Sequence, residues 1–300
     1  MAENEQAQVA ETASAEAEAQ EEEQSLLDKI ISEGRMAREE SQKQRAKDLI
    51  SEFVSQVMEG TMTIAKDTEA MINARISQID HLISAQLNEI MHHQDFQKLE
   101  ASWRGLHYLV HHSETGERMK IRVMNASKKE LLKDFERASE FDQSALFKKI
   151  YEEEFGMFGG ASYGALIGDY EFGNHPQDIA LLEEMSHVAA AAHAPFISSA
   201  APDMLNLDAY TDLGNPRDLA KIFQSVEYAK WKSFRDSEDS RYVALTLPHI
   251  LMRLPYGQAN VPVETFNFEE DVDGKQHQKY LWGNPAYAMG TRLTDAFAKY

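Results

Sequence analysis

Apolar residues recur at helical spacing through the first third of the chain. Between Thr68 and Met91 the positions Ile72, Ile76, Ile79, Ile83, Leu87 and Ile90 follow one another by fours and threes, which places one seam along a long helix. Leu49, Ile50, Phe53, Val54, Val57 and Met58 predict a shorter helix over 48–58, stopped by Gly60. Asp95 is placed to cap a further helix carrying Phe96, Leu99, Trp103, Leu106 and Val110. The seam of the long helix suits a helix–helix interface.

After Gly116 the period changes. Lys120-Ile-Arg-Val-Met124 alternates at period two, as a strand does. Ser127 and Glu130 have the spacing of a capping box and open a helix through Phe135. Gln143 to Glu154 reads as another helix and leads into the glycine-rich turn Gly156 to Gly164. Ala165 to Tyr170 reads as a buried strand, Asp178 to Ala192 as the helix packed on it, and Pro195 to Ser199 as the next strand. Arg217 to Gln224 and Val226 to Phe234 predict short helices, and Tyr242 to Thr246 a strand. Strands alternating with helices place the body in the α/β class, with at least some parallel pairing.

The last segment is helical. Asn284 and Pro285 suit the cap and first-turn positions, and Met289, Leu293, Ala296, Phe297 and Tyr300 then form a seam. No Gly, Asn or Pro stop follows, so the pattern reads as a chain cut inside a helix, that is, as a fragment.

Residues 1–24 are rich in Ala, Glu and Gln, with no Lys or Arg, and read as a disordered acidic tail. In residues 25–46 Ser25 and Asp28 resemble a helix start, and Leu26, Leu27, Ile30 and Ile31 fall on one face before Gly34 and a charged linker. A short amphipathic helix in that position fits either a docking peptide for a partner's groove or a stripe packed on the protein's own body. The organisation expected is therefore tail (1–24), docking helix and linker (25–46), helical region (47–115) and α/β domain (116–300).

Composition narrows the function classes. An apolar fraction of 43% supports a folded core, and the absence of cysteine removes disulfides, thiolate metal sites and cysteine nucleophiles. There is no signal peptide at the N-terminus, and the apolar runs are too short to span a bilayer, so a cytoplasmic protein without membrane insertion is expected. A net charge of −20 disfavours nucleic acid and anionic membranes as partners.

Reaction chemistry finds little support. His107 and His111 are four apart on a helix, with His92, His93 and His112 nearby, but no His-Glu-x-x-His completes a zinc-protease pattern. The 156–164 loop lacks the Gly-Lys-Ser/Thr of a phosphate loop and suits a turn needing positive φ and close chain approach. Glu269 to Gly274 lacks the closing Glu of a calcium hand and reads as a solvated acidic turn. Ser186, Ser198 and Ser199 lack nucleophile-elbow spacing. The expectation is a packed scaffold with no catalytic residue, cofactor or metal, which points towards assembly.

A series of longer motifs makes a resemblance specific. Leu87 to Val110, Lys128 to Asp134, Phe141 to Lys149, Tyr151 to Gly156, Ile167 to Gly173, Ala190 to Phe196 and Leu213 to Ala220 resemble the large sheath subunit of type VI secretion systems, the TssC/VipB family. So do Ser237 to Tyr242, Arg253-Leu-Pro-Tyr-Gly257, Phe266 to Asp271 and Leu281 to Asn284, so that most of 79–300 is covered, as the N-terminal portion of a longer family fold.

The resemblance implies a structural, non-enzymatic subunit. It would pair with a small sheath subunit (TssB/VipA type), stack with other sheath protomers around an Hcp-type inner tube, and contract to propel that tube. It also implies that a ClpV-type AAA+ ATPase grips an N-terminal helix of the large subunit. Here Ser25 to Met36 occupies that place, with Leu26, Leu27, Ile30, Ile31 and Met36 as anchors.

Overall fold

The computed structural model describes residues 68–215 and 218–299. The chain divides into two compact units, Met1–Ile79 and Asp80–Tyr300, and of the first only the helical stretch from Thr68 is described. The expected helix over 48–58 lies outside the described residues.

Helix α1 spans Thr68–Met91 and α2 spans Gln94–His111. The cap between them is His93, not Asp95. In extended backbone, its Nδ1 accepts the Asp95 N–H at 3.3 Å, and Asp95 sits in the first turn, where a negative charge favours the helix dipole. Helix α3, Lys128–Arg137, begins with the expected capping box: the Ser127 hydroxyl accepts the Glu130 N–H and Glu130 accepts the Ser127 N–H. The next helical stretch starts as one α turn, Ala145–Phe147, and continues as a π-helix, Lys148–Phe155. The glycine-rich turn that follows meets its expectation. Gly159 has φ of +84°, and a Cβ on Gly160 would lie 2.2 Å from the Glu154 carbonyl oxygen.

The body is a three-stranded parallel sheet in the order β1–β2–β3, with β1 Leu166–Phe172, β2 Phe196–Ala200 and β3 Val243–Thr246. Helix α4, Pro176–Ala192, joins β1 to β2 and is the centre of the core. It opens on His175 as cap with Pro176 behind it, and closes on His193 in the left-handed conformation, φ 53°. Ile179, Leu181, Leu182, Met185, Val188, Ala189 and Ala192 are buried on it, so α4 is enclosed by the sheet, by α3, by the π-helical stretch and by α5, Ala229–Asp236. Full burial of each large aliphatic contributes about 1.5–3 kcal/mol.

The alternation of β1 distributes its side chains to two layers. Leu166 and Phe172 join the α4 core, whereas Ile167 meets α6, Ala286–Lys299. Asn284 fastens the start of α6, its Oδ1 accepting the Ala286 N–H at 2.8 Å while its Nδ2 donates to the Gly168 and Tyr170 carbonyls of β1. A short antiparallel pair, β4 Ile250–Leu251 with β5 Trp282–Gly283, completes the described sheets.

Three further expectations are corrected. Lys120 to Met124 belongs to no strand. On α2 the buried face is Ala101, Gly105 and Leu109, while Phe96, Leu99, Trp103 and Val110 are exposed. On α6 the buried residues are Ala286, Tyr287, Gly290 and Thr291, while Met289, Leu293 and Phe297 are exposed. The reason is a close crossing of α2, α6 and β1. The ring of Tyr287 occupies the space beside Gly105, and Ile167 and Leu109 occupy the space beside Gly290. Gly105 and Gly290 lack side chains where the ring of Tyr287 and the side chains of Ile167 and Leu109 need the room, so the inward faces are set by this crossing and not by the most periodic apolar row.

Candidate assembly surfaces

The anchors expected to receive the ATPase, Leu26, Leu27, Ile30, Ile31 and Met36, lie outside the described residues. Within them, the most prominent surface feature is the set of outward apolar seams. On α1, Ile72, Ile76 and Ile79 are exposed in the first unit, and Leu82, Ile83 and Ile90 in the second. On α2, Leu99 is 57% and Trp103 65% exposed, and on α6 Phe297 is 62% exposed. Isolated surface leucines are ordinary. Periodic rows of large aliphatic and aromatic residues on successive helices are the kind of surface that a partner covers.

The carboxyl end of the parallel sheet, where α/β enzymes hold their ligands, is tied up by its own side chains. The Glu171 carboxylate at the end of β1 pairs with His249 Nε2 at 2.7 Å, and this contact with His249 holds Glu171 below the usual carboxylate range despite partial burial. The Tyr210 ring meets His249 edge-on at 4.8 Å and its hydroxyl donates to the Ala200 carbonyl at the end of β2. Burial, reinforced by the charge of Glu171, pushes the Tyr210 hydroxyl up to about 12. Lys128 Nζ donates to the Glu171 carbonyl at 2.6 Å and pairs with Asp178 at 2.6 Å. These contacts bind the loops after β2 and β3, and the start of α3, to the end of β1.

The histidine pair is brought together without a third ligand. The His107 and His111 rings tilt on one another at 3.9 Å, and no three His, Cys, Asp or Glu side chains among the described residues converge as a metal site would need.

A larger charged cluster was not legible in the sequence. Arg253 donates from Nη1 and Nη2 to the Glu270 carboxylate and from Nε to Glu100, which also accepts from Arg104 Nε at 2.7 Å. Arg104 Nη2 donates to the Tyr256 hydroxyl at 2.9 Å, and the Tyr256 N–H donates to Glu270. Burial alone would lower the Arg253 pKa, but the hydrogen bonds to Glu270 and Glu100 outweigh it and hold it above its ordinary value. Glu270 is buried, which corrects the solvated acidic turn expected over 269–274 at that one position, while Glu269, Asp271 and Asp273 are exposed. Asp273 shapes the turn, accepting the Lys275 and Gln276 N–H groups. The partners are up to 153 residues apart, so no local signal could have joined them.

An α/β body with charged residues consumed in internal ties and apolar rows facing outward has the character of an assembly module. A family model, EvpB/VC_A0108, tail sheath N-terminal domain (VipB), matches residues 73–300, and the chain belongs to that family. The type VI secretion system sheath protein TssC1 of Pseudomonas aeruginosa (strain PAO1) is 51% identical over 245 residues, which is 81% of this chain and 49% of that relative. The chain thus spans about half the length of the curated relative it matches. Among the described residues, no helix is long and apolar enough to cross a membrane.

Proposed function

We propose that the chain is the N-terminal part of the large subunit of a type VI secretion contractile sheath, acting in the bacterial cytoplasm as a structural protein and not as an enzyme. The reading is carried by the family match across 73–300. The outward rows on α1, α2 and α6 agree with it, because contiguous exposed apolar faces mark surfaces that a partner covers. The partners are a small sheath subunit of TssB/VipA type, other sheath protomers and an Hcp-type inner tube. A ClpV-type AAA+ ATPase takes the segment carrying Leu26, Leu27, Ile30, Ile31 and Met36 when the contracted sheath is dismantled.

Co-expression with a small sheath subunit of TssB/VipA type tests the reading by negative-stain electron microscopy. Hollow tubules with regular surface ridges are expected. A monomer that ignores the small subunit overturns it, and metal analysis of that monomer then decides whether His107 and His111 hold an ion.

A further inference from the structure

The turn Met157-Phe-Gly-Gly160, just beyond the π-helical stretch, puts its two large apolar residues into solvent. Phe158 is completely exposed and Met157 is 60% exposed. The backbone that carries them is tied down. The Gly160 N–H donates to the Met157 carbonyl at 3.0 Å and the Gly156 N–H to the Tyr151 carbonyl at 2.6 Å. The Ala161 N–H donates to the Glu154 carboxylate at 3.0 Å, and Glu154 is itself paired with Arg122. Gly159, with φ of +84°, takes the second central position of the turn, which leaves Phe158 at the first, on the apex. A large aromatic presented on a pre-ordered turn loses little entropy when it enters a socket, which is the character of an interface anchor.

Charge selects the socket. Glu152 and Glu153, beside the knob in sequence, are exposed and form no ion pair among the described residues, so a complementary surface is apolar with a basic border. The three outward apolar rows differ in this respect. Helix α1 carries Glu69, Asp80 and Glu89 against Arg75, and α2 carries Asp95 and Glu100 against Lys98 and Arg104. On α6 the cations are in excess, Arg292 and Lys299 against Asp295. The α6 row, Met289, Leu293 and Phe297, runs by fours, and helical spacing places Arg292 and Lys299 along one border of it. Both cations are exposed, and Lys299 shares its charge with Asp295 at 2.8 Å.

We infer that the Met157–Phe158 knob of one copy of this chain docks on the α6 row of a second copy, with Glu152 and Glu153 set against Arg292 and Lys299. Knob against knob is disfavoured, because it would bring the glutamates of both copies together. The contact joins two different surfaces. Such a head-to-tail contact repeats from copy to copy and builds an open helical array when the rotation does not close, which is the symmetry of a sheath. The inference rests on the sheath reading above.

The chain has no cysteine, so introduced thiols report cleanly. Phe158→Cys and Leu293→Cys are made separately in the full chain, mixed, co-assembled with a cysteine-free small sheath subunit of TssB/VipA type, and oxidised with copper phenanthroline. A covalent dimer of the chain on a non-reducing gel is expected from the mixture and from neither variant assembled alone. A dimer from one variant alone, or assembled tubules that yield no dimer from the mixture, overturns the inference and leaves the sheath reading standing. A second measurement leaves the apolar contact intact. Glu152→Lys with Glu153→Lys should raise the concentration needed for assembly by about tenfold, and adding Arg292→Glu should restore much of the loss. Charge reversal without effect, or without rescue, also overturns the inference. Failure of the unsubstituted chain to assemble with the small subunit overturns both.

Discussion

The guanidinium of Arg253 meets the carboxylate of Glu270 fork to fork, Nη1 to Oε2 at 2.6 Å and Nη2 to Oε1 at 3.0 Å, with both side chains almost wholly out of solvent. Arg253 Nε reaches Glu100 of α2 at 2.8 Å, so one side chain joins the 266–271 loop to the helical region. His92 stands 3.5 Å from the same Glu270 carboxylate. Burying two charges costs several kcal/mol each, and only the pairing recovers it.

Removing one partner is therefore expected to be expensive. Glu270→Ala should lower the unfolding free energy by about 3–5 kcal/mol, read from the urea midpoint, because Arg253 is left buried with only Glu100. Arg253→Lys should recover little, since an ammonium cannot make the two parallel bonds. The double variant Arg253→Met with Glu270→Met removes both charges, and Glu100 keeps Arg104, so its cost should fall well short of the two single costs added together. Strict additivity would show that the pair is not coupled.

The crossing of α2 with α6 makes a second prediction. A Cβ on Gly105 would lie 2.3 Å from the Tyr287 ring, a distance that real side chains do not tolerate. Gly105→Ala should gain about 0.5–1 kcal/mol in helix propensity. Overpacking costs about 1–3 kcal/mol, so the balance is a net loss. Gly116→Ala is the control, because nothing lies within 4 Å of its Cβ position. A thermal scan should show Gly105→Ala melting lower and Gly116→Ala close to wild type. Equal melting of the two would mean that α6 can slide away from α2 at no cost.

The same crossing explains what could be read from sequence. Local signals were legible wherever one short stretch contained the whole cause: the Ser127–Glu130 box, Asn284 before Pro285, and the alternation of strand and helix through 166–246 all appear in place. The orientation of α2 and α6 was not, because hydrophobic periodicity assigns the largest residues to the core. Here the inward positions are Gly105 and Gly290, chosen for close approach, and Trp103 and Phe297 are outward. Lys120 to Met124 was read as a strand from a pattern that is real, yet a strand exists only with a neighbour. Arg253 and Glu270 meet through tertiary structure alone.

Acid sensitivity should be traceable to Glu171. Its close contact with the His249 ring nitrogen, 2.7 Å from the carboxylate, holds its folded pKa below the ordinary 4.5. A carboxylate depressed on folding contributes stability that is complete above its unfolded value and is lost as pH falls through the folded value. His249→Phe removes the contact, so Glu171 should titrate closer to its ordinary value when its carboxyl carbon is followed by NMR. The stability difference between wild type and His249→Phe should shrink on going from about pH 5.5 to about pH 3. A Glu171 titration unmoved by the substitution would assign the depression to Lys128 instead.

The proposed docking segment over 25–36 is the last feature open to direct test. If Leu27 and Ile30 are buried in a groove of the recycling ATPase, each contributes about 1.5–3 kcal/mol. Charging both, as Leu27→Asp with Ile30→Asp, forfeits that and adds the desolvation of two carboxylates. A loss of about 3–6 kcal/mol is a weakening of roughly a hundredfold to more than ten thousandfold. Anisotropy titration of a labelled 25–36 peptide against the ATPase should show that loss, while the full chain with both substitutions should still assemble with the small subunit. Unchanged affinity would remove the docking assignment. Lost assembly would place the Leu26, Leu27, Ile30 and Ile31 stripe on the protein's own body, the other use to which a short amphipathic helix can be put.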